Sequence, residues 1–198
     1  MNRTLLSALI AAAALGTSLA ASAQTTSATT TQRDANQEQR IENGLQNGSI
    51  TPRENAALQR DEAHVDKLQA RDMKNGALSP AEKAKLTAAQ DHASRDITRA
   101  KDNGVNANPL SASSQRAQAD VQRNANQQQR IANGVKDGSL THREAGRLEN
   151  GQAHVDKREA RAGANGHVSA GEQRRIARAE ARQSARIHQQ RHDAQQRG

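Results

Sequence analysis

The chain has no cysteine and no phenylalanine, tyrosine or tryptophan. Without cysteine there is no disulfide frame. Without aromatics the largest core-filling side chains are missing. So are the stacking platforms on which single-stranded nucleic-acid binders lay bases, and nucleic acid is not the expected partner. Large aliphatic residues are also few, so the expected core is sparse and a deep catalytic pocket is not expected. The chain reads as non-enzymatic, soluble and helical, and its thin core is compatible with self-association.

What is present is charge, with 29 basic and 21 acidic side chains among 198 residues. The first 23 residues have a separate pattern. Arg3 gives a positive start, and Leu5 to Leu19 is an uncharged run rich in Leu, Ile and Ala. Ala21-Ser22-Ala23 is the small-x-small site that a signal peptidase reads. The run is short for a transmembrane span. Residues 1–23 are therefore read as a cleaved signal peptide. The expected destination is the periplasm of a Gram-negative cell or the exterior, and the mature chain is expected to lack a transmembrane span. Removing Arg3 leaves 28 − 21 = +7 in the mature chain.

Repeats organise the rest. Residues 33–82 align with 123–172 without a gap, at an offset of 90, and about half the pairs are identical. The block Ala63-His64-Val65-Asp66-Lys67 returns as Ala153-His154-Val155-Asp156-Lys157. Inside each half a shorter period of 28 separates Asn47-Gly48, Asn75-Gly76 and Asn103-Gly104, and likewise Asp137-Gly138 and Asn165-Gly166.

The phrase after these glycines is helix punctuation. Gly closes one helix in the left-handed conformation. Thr51, Ser79, Thr141 and Ser169 cap the next, and Glu54, Glu82, Glu144 and Glu172 follow three residues on, completing capping boxes. Pro52 and Pro80 stand at first helical positions. The intervening sequence is rich in helix formers, with apolar stripes at Leu86, Ala89, Ala93 and Ile97 and at Leu58, Val65 and Leu68. The expected fold is all-α, with two tandem copies of a three-helix unit joined by short Gly-containing turns. Helices are expected at 32–46, 52–74 and 80–102, then at 122–136, 142–164 and 170–193. The expected division is a disordered lead-in at 24–31, repeat unit 1 at 32–104, a linker at 105–121, repeat unit 2 at 122–193 and a tail at 194–198.

The turns resemble the back half of an EF-hand calcium loop. Asn47, Asn75, Asp137 and Asn165 stand at the fifth position, the glycine follows, and Ile50, Leu78, Leu140 or Val168 and then the glutamates complete the match. The front half departs from it. The first position holds Asn43, Arg71, Asn133 and Arg161, and the third holds Leu45, Met73, Val135 and Gly163. Leu and Met do not ligate a hard cation, and Arg repels one. Calcium is the one cofactor the resemblance implies, with Asn47, Glu54, Asn75, Glu82, Asp137, Glu144, Asn165 and Glu172 as its ligands. The chain is also similar to small secreted proteobacterial proteins of unassigned function that carry Gly-x-Leu-Thr-x-x-Glu repeats. That likeness implies no mechanism.

Two further groups stand out. His188 and His192 are four apart, on one helical face, at a two-ligand metal spacing. Arg174, Arg178, Arg182 and Arg186 recur every four residues, forming one basic stripe. The matching first-half positions are Ala84, Ala88, His92 and Asp96, so the fold does not require the stripe. It suits docking on anionic envelope components such as lipopolysaccharide or phospholipid, or on another envelope protein. The leading expectation is a non-enzymatic exported helical repeat protein with a binding, scaffold or envelope-stress role. The alternative is a periplasmic divalent-cation binder using the EF-hand-like turns or the histidines.

Overall fold

The computed structural model describes residues 16–193, and their side chains from Ser27 onward. Most of the signal segment and the tail at 194–198 lie outside the described residues. Six helices follow one another: α1 (Gly16–Asn47), α2 (Pro52–Asp72), α3 (Pro80–Asp102), α4 (Ala112–Asp137), α5 (His142–Ala162) and α6 (Ala170–Arg191). Short 3-10 turns extend α2 over Met73–Asn75 and α5 over Gly163–Asn165. Among the described residues there is no strand, and no helix is long and apolar enough to cross a membrane.

All four capping boxes form. In each, the Thr or Ser side chain accepts from the glutamate's N–H, and the glutamate accepts from the cap residue's N–H. At the first turn of each half, Gly48 and Gly138 take φ of 81° and 83°, the left-handed region that favours glycine. Four residues earlier in each half, glycine serves another purpose. A Cβ on Gly44 would stand 2.4 Å from Ile50 Cδ1, and one on Gly134 would stand 2.6 Å from Leu140 Cδ1. The turn's apolar residue folds back onto bare helix backbone, and its N–H bonds the same glycine's carbonyl at 3.0 and 2.9 Å.

Two segments differ from the sequence reading. Residues 24–31, expected to be disordered, continue α1. Ser27, Thr30, Thr31 and Asp34 are buried at helical spacing, and the Thr30 and Thr31 hydroxyls donate to the Ser27 carbonyl at 2.9 and 3.1 Å. The expected linker at 105–121 is mostly helix. Ser111 is the N-cap of α4, accepting from Ser114 N–H, and Ser113, Ser114, Ala117 and Val121 are buried. In both places Ser and Thr read as loop formers because their hydroxyls compete for backbone. Tertiary packing settles them as helix.

That packing joins the halves. α1 lies antiparallel on its own copy α4, and α2 lies antiparallel on α5. α3 covers α1 and α2, while α6 covers α4 and α5. Gln118 Nε2 donates to the Leu45 carbonyl at 3.1 Å, fixing the direction at the α1–α4 seam. At the α2–α5 seam, glycines let the backbones approach. A Cβ on Gly163 would meet the Pro52 carbonyl at 2.7 Å, and one on Gly146 would meet Met73 Cβ at 3.1 Å. Both main apolar clusters draw on both halves. Ile41, Leu45, Ile50, Leu58 and Ile97 are joined by Ala117, Val121 and Val168 of the second half. Ile131, Val135, Leu140, Leu148 and Ile187 are joined by Met73, Leu78 and Ala28 of the first.

Candidate functional site

Between the two apolar clusters the interior is polar. α1 contributes Asp34 and Glu38, and α2 contributes Gln59, Glu62, Asp66 and Gln69. α4 adds Asn124 and Gln128, and α5 adds Glu149, Gln152, Asp156 and Glu159. None is more than 3% exposed. The repeat explains the composition. At an offset of 90, Asp34 matches Asn124, Glu38 matches Gln128, Gln59 matches Glu149, Glu62 matches Gln152 and Gln69 matches Glu159. Each pair sets an acid in one half against an amide in the other. Only Asp66 and Asp156 are acidic in both.

Amides bond carboxylates between neighbouring helices, mostly within one half, and Gln128–Asp66 crosses between the halves. Gln59 Nε2 donates to Glu38 at 3.1 Å, and Asn124 Nδ2 donates to Asp156 and Glu159, both at 3.0 Å. Gln128 Nε2 donates to Asp66 at 2.9 Å and to Glu149 at 3.2 Å. Gln90 of α3 donates to Asp34 at 2.5 Å. No lysine or arginine is buried among the described residues. Arg123, at the edge, bonds both Asp120 and Glu180.

Desolvation, the main cause, holds these acids toward their neutral form. It pushes Glu38 and Glu180 up to about 7 and Glu149 to about 8. Asp120 also rises to about 8, with the Glu180 charge adding to burial. Asp34, Glu62, Asp66, Asp156 and Glu159 are raised well above the ordinary carboxylate range by burial and then by one another's charges.

The cations stand outside. A cleft of about 630 Å³ on the α2–α5 seam is lined by Lys67, Arg71, Lys74, Arg143 and Arg147. Arg71 bonds Asp72 at 2.6 Å. No carboxylate pairs with the other four among the described residues. Lys67 and Lys157, the same position in the two halves, stand close enough that Lys67 lowers the Lys157 pKa. Arg174, Arg178, Arg182 and Arg186 are all exposed on α6. Arg182 and Arg186 face Arg158 and His154 of α5 across a second, smaller cleft.

The turn residues are occupied by backbone. Glu54, Glu82, Glu144 and Glu172 accept from their cap residues' N–H groups at 2.8, 2.8, 2.8 and 2.9 Å. Asn47, Asp137 and Asn165 accept from Ser49, Ser139 and His167 N–H, each at 2.9 Å. Asn75 is exposed in the corresponding turn of the first half. The rings of His188 and His192 stack at 4.3 Å, and His192 Nδ1 lies 2.7 Å from the His188 carbonyl. Two groups of three potential ligand residues occur among the described residues. One is Asp34, Asp66 and Glu149; the other is Asp61, His92 and Asp96. The second lies near the surface, where Asp96 already bonds Arg99 at 2.6 Å and His92 at 3.1 Å.

The interior acids went unread in the sequence because Glu, Gln, Asp and Asn ordinarily mark a solvated face. The signal that reveals them is the acid-to-amide exchange at positions where the two halves otherwise agree. No family model, no curated protein and no solved structure matches the chain.

Proposed function

We propose that this chain is an exported, non-catalytic protein, built from two copies of a three-helix unit, that docks through its basic outer face on anionic surfaces of the cell envelope. The observation that carries the reading is the separation of charge. Of 21 acids, 12 are buried, whereas no lysine or arginine is buried among the described residues. The outer field is therefore far more positive than the formal net charge of +8 suggests. The unpaired cations of the α2–α5 cleft and the α6 stripe are the contact groups.

Export rests on the segment at 1–23 and on the match between the halves. Ser111, the N-cap of α4, corresponds at an offset of 90 to Ala21, and Ser114 corresponds to Gln24. Cleavage after Ala23 would start the mature chain two residues past the position that matches the first residue of α4, and Ser27, the first described side chain, is already buried. Co-sedimentation with phosphatidylglycerol vesicles, against phosphatidylcholine vesicles, tests the docking. Binding to the anionic vesicles alone, lost at high salt, is the expected result. Equal binding to both kinds of vesicle, or to neither, refutes it.

A further inference from the structure

Asp34 of α1, Asp66 of α2 and Glu149 of α5 each bring one carboxylate oxygen within 4.8 Å of the other two. Gln128 of α4 closes the fourth side, its Nε2 donating to Asp66 at 2.9 Å and to Glu149 at 3.2 Å. None of the four is more than 2% exposed. Three carboxylates this close in a dry interior must either keep protons or take up a counter-charge. Arg33, whose charge lowers the Asp34 pKa, bonds Asp91 at 2.5 Å.

A second observation is independent of the clustering. Asp34 Oδ2, Asp66 Oδ2, Glu149 Oε1 and Gln128 Oε1 are buried without a hydrogen-bond partner. Glu62 stands one helical turn before Asp66 and is 2% exposed, and neither of its carboxylate oxygens has a partner. It lies within electrostatic reach of Asp34. Buried polar atoms in folded proteins are bonded in roughly 90% of cases or more, so orphaned oxygens on all three clustered carboxylates call for a partner.

We propose that Asp34, Asp66 and Glu149, with Glu62 beside them and the Gln128 amide turned to present its oxygen, hold one hard divalent cation inside the four-helix interior. The donors are all oxygen, with no histidine or cysteine, so the cation belongs to the calcium, magnesium and manganese class. The duplication explains why there is one site. The matching positions carry two acids, Asp156 and Glu38, and two amides that already bond them. This centre is separate from the turns, whose glutamates cap helices, and from the basic exterior. It stands or falls apart from the docking reading.

The test uses the full mature chain stripped with EDTA, then titrated separately with calcium, magnesium and manganese chloride at pH 7.5. Calorimetry and thermal melting are the readouts. One cation per chain is expected for at least one of the three metals, with a rise in Tm. Asp34→Asn and Glu149→Gln install the residues found at the matching positions of the other half. Each is expected to weaken binding about tenfold or more while raising the Tm of the metal-free chain, because each replaces a buried ionisable group with an amide that costs less to bury. The turn variant Glu54→Gln keeps the affinity. The proposal is overturned by a Tm and heat signal indifferent to all three metals, or by binding that survives the Asp34→Asn, Glu149→Gln double variant. A fall in the metal-free Tm of both single variants also overturns it, by making these acids structural.

Discussion

Gln32 of α1 and Gln129 of α4 exchange amide hydrogen bonds, at 3.0 and 3.1 Å, across the seam between the two halves. They are not the same position in the repeat, so the exchange marks an antiparallel crossing. A double-mutant cycle with Gln32→Ala and Gln129→Ala should show a coupling of about 0.5–1.5 kcal/mol in urea denaturation. Additive losses would place the seam elsewhere.

The crossing bears on whether either half stands alone. Each apolar cluster takes residues from the other half: Ala117, Val121 and Val168 in one, Ala28, Met73 and Leu78 in the other. Residues 24–104 expressed alone should lose most of their helicity by circular dichroism, and mixing with 105–198 should restore it. A fully helical, monomeric half with a cooperative melt would contradict this.

Gly134 presents bare backbone to Leu140, with 2.6 Å between a would-be Cβ and Leu140 Cδ1. Gly134→Ala should cost about 1–3 kcal/mol through overpacking of the turn. The compensating pair Gly134→Ala, Leu140→Val should recover part of the loss. Thr141→Ala, which removes only the cap of α5, should cost about 1 kcal/mol. Both are read from urea midpoints at constant m.

The buried acids give stability an unusual pH profile. Glu38, Asp120 and Glu180 have folded values raised by burial to about 7, 8 and 7, well above the ordinary carboxylate range. A raised folded value means that the native state holds its proton more tightly than the unfolded chain. The contribution is complete below about pH 4 and is lost as pH rises from there through about 8. In chelator, the unfolding free energy from urea denaturation should therefore fall steadily between pH 4 and pH 8, by several kcal/mol in total. A midpoint that rises over that range would contradict this assignment.

Reversing charge on the outer face should act on binding and leave the fold alone. Lys67→Glu with Arg147→Glu should reduce binding to phosphatidylglycerol vesicles about tenfold or more at low salt. The circular dichroism spectrum should be unchanged, since neither side chain is buried. Arg182→Glu with Arg186→Glu tests the α6 stripe in the same assay.

The sequence made the local devices legible. Thr51, Ser79, Thr141 and Ser169 cap their helices, and Gly48 and Gly138 turn the chain, because caps and turns depend on a few adjacent residues. Leu86, Ala93 and Ile97 are buried as their spacing implies, with Ala89 half-buried. What stayed hidden depends on distant residues. Nothing local says that Thr30 and Thr31 are helical, or that Ser113 and Ser114 are buried, because the cause is packing against residues far along the chain, such as Gln90 on the Thr30 carbonyl and Val168 on the Ser113 hydroxyl. The polar interior was hidden for the same reason. Glu62 and Asp66 read as solvent-facing until α5 is laid across them.

The pairing of α1 with α4 and of α2 with α5 has a consequence for the chain's history of assembly. One copy of the unit could close this seam only by meeting an identical copy about a two-fold axis, as a homodimer does. Every interior position would then be filled twice by the same side chain, so an acid at any position would recur at its two-fold mate. Covalent linkage lifts that constraint. With the two copies in one polypeptide, Asp34 can coexist with Asn124 and Gln59 with Glu149. Symmetry is kept in the backbone and broken in the side chains, which allows a single asymmetric site on what would otherwise be an axis of two equal ones.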